Sequence, residues 1–200
     1  MTDPAQLPTA AMIASYRVAD FDTWKAVFDS NAQNRIDAGY LGHHINRAED
    51  DPNSLSIYFA IADVDKAKVF VTSDQVRALM AEAGVSSAPE FTWMKPVREA
   101  TVNDRELPAM IIRHRVEDFD NWLARYDAAG ELQQSGGIIG HAANRGLDDP
   151  SLVIVYHQAE SFDTLRSFLR SDELRAAMKE AGIVSDPEVT FYRGGLDTRY

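Results

Sequence analysis

The stretch LGHHINRAEDDP (41–52) returns 98 residues later as IGHAANRGLDDP (139–150), with seven residues unchanged in place. Alternating side chains before an Asp-Asp-Pro sequence are typical of a strand followed by a tight turn, because proline presets the turn and interrupts a strand ladder. His43 and His44 are neighbours, so their rings point to opposite faces of such a strand and cannot chelate one metal ion. The repeated motif therefore predicts a strand and hairpin turn that the fold needs twice.

The repeat extends over most of the chain. A shift of 98 positions aligns VADFDTW (18–24) with VEDFDNW (116–122) and needs no gap anywhere. About 40% of the positions from 11 to 95 match their counterparts, far above chance, so the chain is an internal duplication. We expect one domain at 10–97, a polar linker at 98–107 and a second domain at 108–195.

The composition is that of a soluble globular protein. The 200 residues are 45% hydrophobic and 26% charged, contain no cysteine and carry a net charge of -11. The excess of negative charge and the lack of a Lys/Arg cluster argue against nucleic acid as a partner, because its phosphates would be repelled. The lack of cysteine fits a reducing compartment. The opening MTDPAQLPTAAM has no basic or apolar signal region, and no apolar run reaches membrane-spanning length. We expect a cytoplasmic protein with no membrane partner.

Each copy has the element order β-α-β-β-α-β, with an extra helix at 64–71. Asp20 or Asp118 would cap a helix whose Trp24 or Trp122 belongs to an apolar face at i, i+3 and i+7. Ser73 or Ser171 would cap the second long helix, and Gly84 or Gly182 would end it. The prediction is an α+β fold of two tandem ferredoxin-like domains with antiparallel sheets.

Strand alternation separates two faces of each sheet. Leu41, His43 and Ile45 form the more apolar set, and we expect them to face the helices. The opposite face would carry Ser15, Arg17, His44, Asn46, Ser56 and Tyr58, and in the second copy Arg113, Arg115, Asn144, Ile154 and Tyr156. We expect the opposite faces of the two copies to line a shared cavity.

The segments RVADFDTWKAVFD (17–29), GYLGHHINRAEDDPNSLSIYFAI (39–61) and SDQVRALMAEAGV (73–85) resemble the dimeric α+β-barrel proteins. Within that superfamily the chain is similar to antibiotic biosynthesis monooxygenases and small polyketide-cyclase-like proteins. The resemblance covers nearly all of both copies, and it implies that one chain supplies both halves of an intrachain, pseudo-twofold barrel. A homodimer of the tandem chain is a further expectation.

The resemblance also implies a small hydrophobic or aromatic ligand. Haem-handling relatives place a histidine on the second long helix, and neither 64–83 nor 162–181 contains one, so we expect no haem and no other cofactor. Cofactor-free relatives hold an acidic phenol as its anion. On this basis the predicted ligand-binding residues are Arg17, Asn46, Tyr58, Arg115, Asn144 and Tyr156. The candidate catalytic residues are His44, Tyr58 and Tyr156, and no metal site is expected.

Other features have structural interpretations beside functional ones. His43 and His141 are either partly buried structural residues or pocket acids and bases. Arg47 and Arg145 are expected to pair with the turn aspartates. His44, His114 and His157 lack a histidine at the matching position. This asymmetry either reflects drift after the duplication or, if only one copy is active, marks the active copy.

Two functions therefore remain open. One is a cofactor-independent monooxygenase or cyclase-like enzyme acting on a small aromatic or polyketide-like molecule. The other is a non-catalytic ligand-binding or protein-assembly module. Motifs for nucleotide binding, serine hydrolysis and zinc proteolysis do not occur in the sequence.

Overall fold

The computed structural model describes residues 7–200, so residues 1–6 of the opening stretch lie outside the described part. Copy 1 contains, in chain order, β1 Ala10–Arg17, α1 Phe21–Ser30, α2 Ala32–Asp37, β2 Tyr40–Ala48, β3 Ser54–Ile61, α3 Val64–Val71, α4 Asp74–Glu82 and β4 Glu90–Ala100. Copy 2 contains β5 Leu107–Arg115, α5 Phe119–Ala128, α6 Gly130–Ser135, β6 Gly140–Gly146, β7 Leu152–Gln158, α7 Phe162–Arg170, α8 Asp172–Glu180 and β8 Glu188–Gly194. The short strand β9, Thr198–Arg199, follows.

The helices α1 and α4 begin, and α4 ends, at the residues that the sequence analysis named. The Asp20 carboxylate accepts a hydrogen bond from the Thr23 backbone N–H at 2.8 Å, and Ser73 caps α4 in the same way. Gly84 follows α4 with φ 73°, a left-handed conformation that glycine adopts without steric cost. The predicted caps and stops are confirmed.

The repeated motif forms a strand and a turn in both copies. In copy 1 the Ser54 backbone N–H bonds to the Asp51 carbonyl at 2.9 Å, with Pro52 at the second position of the turn. Leu152 and Asp149 make the equivalent bond in copy 2 at 3.0 Å. The hairpin prediction is confirmed, and it places β2 beside β3 and β6 beside β7.

The chain divides into two compact units. One comprises Pro8–Trp93 with Gly195–Tyr200, and its strands β2, β3 and β1 are paired antiparallel in that order. The other includes Met94–Gly194, in which β6, β7, β5 and β8 form an antiparallel sheet in that order. Each unit has its own apolar core, as expected for two ferredoxin-like copies. The predicted α+β class is confirmed.

The strand β4 is longer than its sequence pattern indicates. It pairs with β6 as far as Ala100, opposite His141, so the first three residues of the predicted linker lie in a strand. The proposed domain boundaries remain a prediction. Among residues 7–200, no helix combines the length and the apolar character needed to cross a bilayer.

The face assignment of β2 is correct except at its start. Ile45 is buried in the core and the ring of His43 packs against Phe28 of α1, as predicted. Leu41, however, is 46% exposed, and Tyr40 occupies the core in its place. The cause is a register shift between Tyr40 and Gly42, which reverses the alternation at that point.

Candidate functional site

Each copy holds a cavity between its sheet and its helices. The copy 1 cavity has a volume of about 90 Å³ and the copy 2 cavity about 70 Å³. Both are lined by equivalent positions of β1 and α1, or β5 and α5, with further residues from the other helices. Seven aromatic side chains line the copy 1 cavity: Tyr16, Trp24, Phe28, Tyr40, Phe59, Phe70 and Phe91.

The aromatic face of α1 builds one wall of the copy 1 cavity. Trp24 is 2% exposed, and its ring stacks on Phe28 at 4.7 Å between centroids. Tyr16 meets Trp24 edge-on at 6.2 Å. These contacts confirm the predicted core role of Trp24, and Trp122 has the same role in copy 2. They also give the cavity the flat, apolar surface that an aromatic ring prefers.

Arg35 places a positive charge in this apolar cavity. Its guanidinium lies 3.7 Å from the ring centre of Phe28, and its Nη1 donates to the Phe28 carbonyl at 2.8 Å. Its Nε donates to the Tyr200 hydroxyl. Within residues 7–200, no carboxylate lies within 4 Å of this buried guanidinium. Its remaining N–H donors are therefore available to an anion.

His43 lies next to this charge. Its Nδ1 is 2.9 Å from the Tyr200 hydroxyl, so Arg35, Tyr200 and His43 form one hydrogen-bonded chain. Burial, with a contribution from the Arg35 charge, lowers the pKa of His43 to about 4. The imidazole is therefore neutral at pH 7, and burial makes it a weak base. Burial raises the pKa of Tyr16 and of Tyr40 above the ordinary value, which keeps both hydroxyls protonated.

Gly42 explains how Tyr200 reaches this position. Residues Gly42 and His43 of β2 pair with β9, and the Tyr200 N–H bonds to the Leu41 carbonyl at 3.0 Å. A Cβ at Gly42 would lie 2.4 Å from the Thr198 carbonyl oxygen. Gly42, the glycine of the motif in copy 1, is therefore required by the close approach of β9.

An outer groove adjoins the copy 1 cavity. It has a volume of about 440 Å³ and is bordered by α4 and the segment before β4. Val71, Met80 and Phe91 line both spaces and form the partition between them. Methionine is flexible, so Met80 is the adjustable part of this partition.

The copy 2 cavity has different chemistry at equivalent positions. Gln133 replaces Arg35, while His114 and His157 replace Tyr16 and Phe59. Burial lowers the pKa of His114 to about 4 and that of His157 to about 3. Tyr126, at the Phe28 position, lies 2.9 Å from Nδ1 of His141. The copy 1 cavity thus contains a buried guanidinium, whereas the equivalent positions of the copy 2 cavity carry an amide and neutral imidazoles.

The predicted sheet-face residues lie away from both cavities. Asn46 is 2% exposed, and Asn144 donates to the Ile154 carbonyl at 3.3 Å. Nδ1 of His44 lies 2.7 Å from the Asp197 carboxylate. None of the predicted ligand-binding residues, nor His44, lines either helix-side cavity. Their ligand role, including that of Tyr58 and Tyr156, remains a prediction.

The turn aspartates pair with other arginines than the sequence predicted. Arg17 and Arg115, predicted to bind ligand, form ion pairs with the turn aspartates at 2.5 and 2.8 Å. Arg47 and Arg145 were expected to make those pairs, and that prediction is wrong. They donate instead to the carbonyls of the turn prolines and lie over the rings of Phe21 and Phe119. The prolines expose their carbonyls at the end of the strand, within reach of a long side chain.

Sequence reasoning missed Arg35 and Tyr200. Arg35 belongs to a short helix that has little apolar pattern, and it has no arginine counterpart in copy 2. Tyr200 lies beyond the repeat and reaches the site only through β9. The one available signal was the difference between the copies at position 35, where glutamine replaces arginine.

Comparison with known proteins identifies the fold. An anthrone oxidase-like protein matches with a TM-score of 0.69 at 13% identity, covering 98% of this chain and 95% of the other. A candidate monooxygenase from Lactobacillus acidophilus matches with a TM-score of 0.65 at 11% identity, covering 95% of both chains. The chain has the fold of the dimeric α+β-barrel proteins. The fold implied by the sequence resemblance is thus confirmed. Proteins described as monooxygenases are among the structures that share it.

The same fold also occurs in a protein described as a major regulator of staphylococcal pathogenesis. That structure matches with a TM-score of 0.52 at 10% identity, covering 92% of this chain and 98% of the other. No family model and no curated protein sequence matches the chain. The fold is therefore compatible with more than one kind of function, and the site must decide between them.

Proposed function

We propose that the protein is a cofactor-independent enzyme of the monooxygenase or cyclase type. It acts on a small aromatic or polyketide-like molecule that binds in the copy 1 cavity as its oxyanion. The observation that carries this proposal is the buried guanidinium of Arg35, which lines an aromatic cavity and has no carboxylate of residues 7–200 within 4 Å.

A buried charge without a counterion is unfavourable, because the protein interior solvates it poorly. Among the described residues, the Arg35 side chain is hydrogen-bonded only to neutral oxygens, those of Phe28 and Tyr200. An aromatic phenolate or enolate would supply the missing negative charge. Its ring would contact the aromatic wall formed by Trp24 and Phe28. The cavity therefore offers a cation to the oxyanion of such a ligand and an apolar surface to its ring.

The hydrogen-bonded chain sets the electrostatics of the site. Arg35 stabilises the negative charge that develops on the substrate oxygen, while the Tyr200 hydroxyl, between Arg35 and neutral His43, holds the guanidinium in place. Because His43 is a weak base with a pKa of about 4, the substrate proton leaves to solvent. In the monooxygenase case dioxygen is the oxidant. The CH₂ carbon that loses a proton to form the enolate becomes a carbonyl: one atom of dioxygen enters the product, and the other leaves as water with the two hydrogens of the CH₂ group.

The size of the site favours entry through the outer groove. The copy 1 cavity alone, at about 90 Å³, is smaller than the roughly 300 Å³ at which ligand pockets begin. Displacing Met80 joins it to the groove of about 440 Å³, and the joined space falls in the range of ligand pockets. A polycyclic substrate would then place its oxyanion at Arg35 and the rest of its rings in the groove.

Oxygen uptake with anthrone as the probe substrate tests this function. We expect Arg35→Gln, which introduces the copy 2 residue, to lower kcat/KM by about 100-fold, the effect of losing one oxyanion donor. Arg105→Gln removes an exposed arginine that pairs with Glu160, and it is the matched control that retains activity. Wild-type activity in Arg35→Gln would contradict the proposal.

The alternative is a non-catalytic ligand-binding module. The observation in its favour is the small volume of both helix-side cavities, about 90 and 70 Å³. In that case aromatic anions bind to the wild type and not to Arg35→Gln, while no probe substrate consumes oxygen. The binding and uptake measurements together separate the two functions.

A further inference from the structure

The copy 2 cavity contains two buried histidines that the proposed function does not use. His114 and His157 are 5% and 4% exposed, and both line this cavity. Within the described part of the chain, residues 7–200, neither ring nitrogen of either residue has a hydrogen-bond partner. Copy 1 carries Tyr16 and Phe59 at these positions, so the fold does not require an imidazole at either place. Four polar atoms are thus buried without partners in a cavity.

Both imidazoles are neutral at pH 7. Burial, the main cause in each case, lowers the pKa of His114 to about 4 and that of His157 to about 3. A neutral imidazole presents one N–H donor and one nitrogen acceptor. Arg125 also lines the cavity, but its half-exposed guanidinium lies 3.6 Å from Glu180. The cavity therefore offers donors and acceptors and does not offer a buried, unpaired cation.

The two histidines lie at opposite ends of the cavity. On the paired strands β5 and β7, His157 lies opposite Met110, and His114 lies opposite Val153. Met110 and His114 are four residues apart on β5, so the two histidines are separated by four residues along the sheet. Four residues of a strand span roughly 13 Å, so the two side chains cannot share one small polar group.

An aromatic wall connects these ends. The ring of Trp122 is 5.8 Å from that of His114, and Tyr126 lies parallel to His157 at 6.4 Å. Trp122 and Tyr126 stack on each other at 5.0 Å. A flat ligand in contact with this wall would have one imidazole at each end.

We propose that the copy 2 cavity is a second binding site, for a neutral, planar, single-ring molecule with a hydrogen-bonding group at each end. His114 and His157 hold the two polar groups, and the Trp122–Tyr126 wall contacts the ring. The cavity of about 70 Å³ is about half the size of an engineered cavity that binds benzene. A single ring therefore enters when the flexible Met178 shifts, and larger ring systems are excluded.

Hydroquinone, titrated under argon into the ¹⁵N-histidine-labelled full chain, tests this site. It is neutral at pH 7 and has a hydroxyl at each end of one ring. We expect the imidazole resonances of His114 and His157 to shift with saturation. Toluene, which lacks hydrogen-bonding groups, and benzoate, which is an anion, should leave them in place.

Variants that carry the copy 1 residues give the matched comparison. His114→Tyr and His157→Phe should each lower hydroquinone affinity at least 10-fold, whereas the exposed Glu173→Gln should leave it unchanged. His157→Phe should also raise the melting temperature of the free protein, because it removes buried nitrogens without partners. If His114→Tyr does not fold, His157→Phe alone decides the question.

Three results would overturn the proposal. They are unshifted His114 and His157 resonances, unchanged hydroquinone affinity in His157→Phe, and toluene binding as tight as that of hydroquinone. Arg35 takes no part in this site, so the loss of anion binding in Arg35→Gln tests the proposed function separately.

Discussion

Three buried histidines should make the protein sensitive to mild acid. The pKa values of His43, His114 and His157 are lowered to about 4, about 4 and about 3, mainly by burial. Unfolding returns each to its ordinary value of about 6.5, so the unfolded chain binds more protons than the folded one below that pH. Their stabilising contribution is fully present above pH 6.5 and is lost as the pH falls towards 4.

The size of the effect follows from these values. Between pH 8 and pH 5 each histidine lowers the free energy of unfolding by about 2 kcal/mol, and the three together lower it by about 6 kcal/mol. Folded domains typically have only about 5–15 kcal/mol of stability, so such a loss brings the protein close to unfolding. Most carboxylates remain ionised at pH 5, which makes this interval a test of the histidines.

Urea unfolding at pH 8, 6.5 and 5, followed by circular dichroism, measures this dependence. His157→Phe should lose about 2 kcal/mol less than the wild type over the interval, because its side chain cannot be protonated. A free energy of unfolding that changes by less than 1 kcal/mol between pH 8 and pH 5 in the wild type would refute the reasoning.

Three further predictions concern single positions. Gly42→Ala should cost about 1–3 kcal/mol in urea unfolding, because its Cβ would meet the Thr198 carbonyl, and unchanged stability would contradict that contact. Trp24→Ala should lower the free energy of unfolding by about 3–5 kcal/mol, as expected for a large buried aromatic; a loss below 1 kcal/mol would place it outside the core. If Asn46 and Asn144 contact the ligand as predicted, Asn46→Ala and Asn144→Ala should each weaken ligand binding at least 10-fold in calorimetry, and unchanged affinity would limit them to structural roles.

The duplication is the reason that so much of the fold follows from the sequence. Asp20 and Ser73 lie at helix starts and recur in the second copy, so two independent occurrences of the same capping residue predict each helix boundary. The Asp51–Pro52 turn is a local structure whose geometry depends on the residues themselves. Signals of this kind need no knowledge of distant contacts.

The site was less predictable because it depends on contacts between distant residues. The register shift beside Leu41 changes which side chain faces the core, and no residue in that strand signals it. Arg35 and Tyr200 are 165 residues apart and meet only because β9 pairs with β2. The asymmetry at His114 and His157 was visible in the sequence, although their shared cavity was not.

The central claim is that the copy 1 cavity binds an aromatic anion through Arg35. A crystal structure of the protein with 4-bromobenzoate tests it directly, because the anomalous signal of bromine locates the ring. The account predicts bromine in the copy 1 cavity or its adjoining groove, with the carboxylate within hydrogen-bonding distance of the Arg35 guanidinium. Bromine on the sheet face that carries Asn46, or a carboxylate that does not contact Arg35, would contradict it.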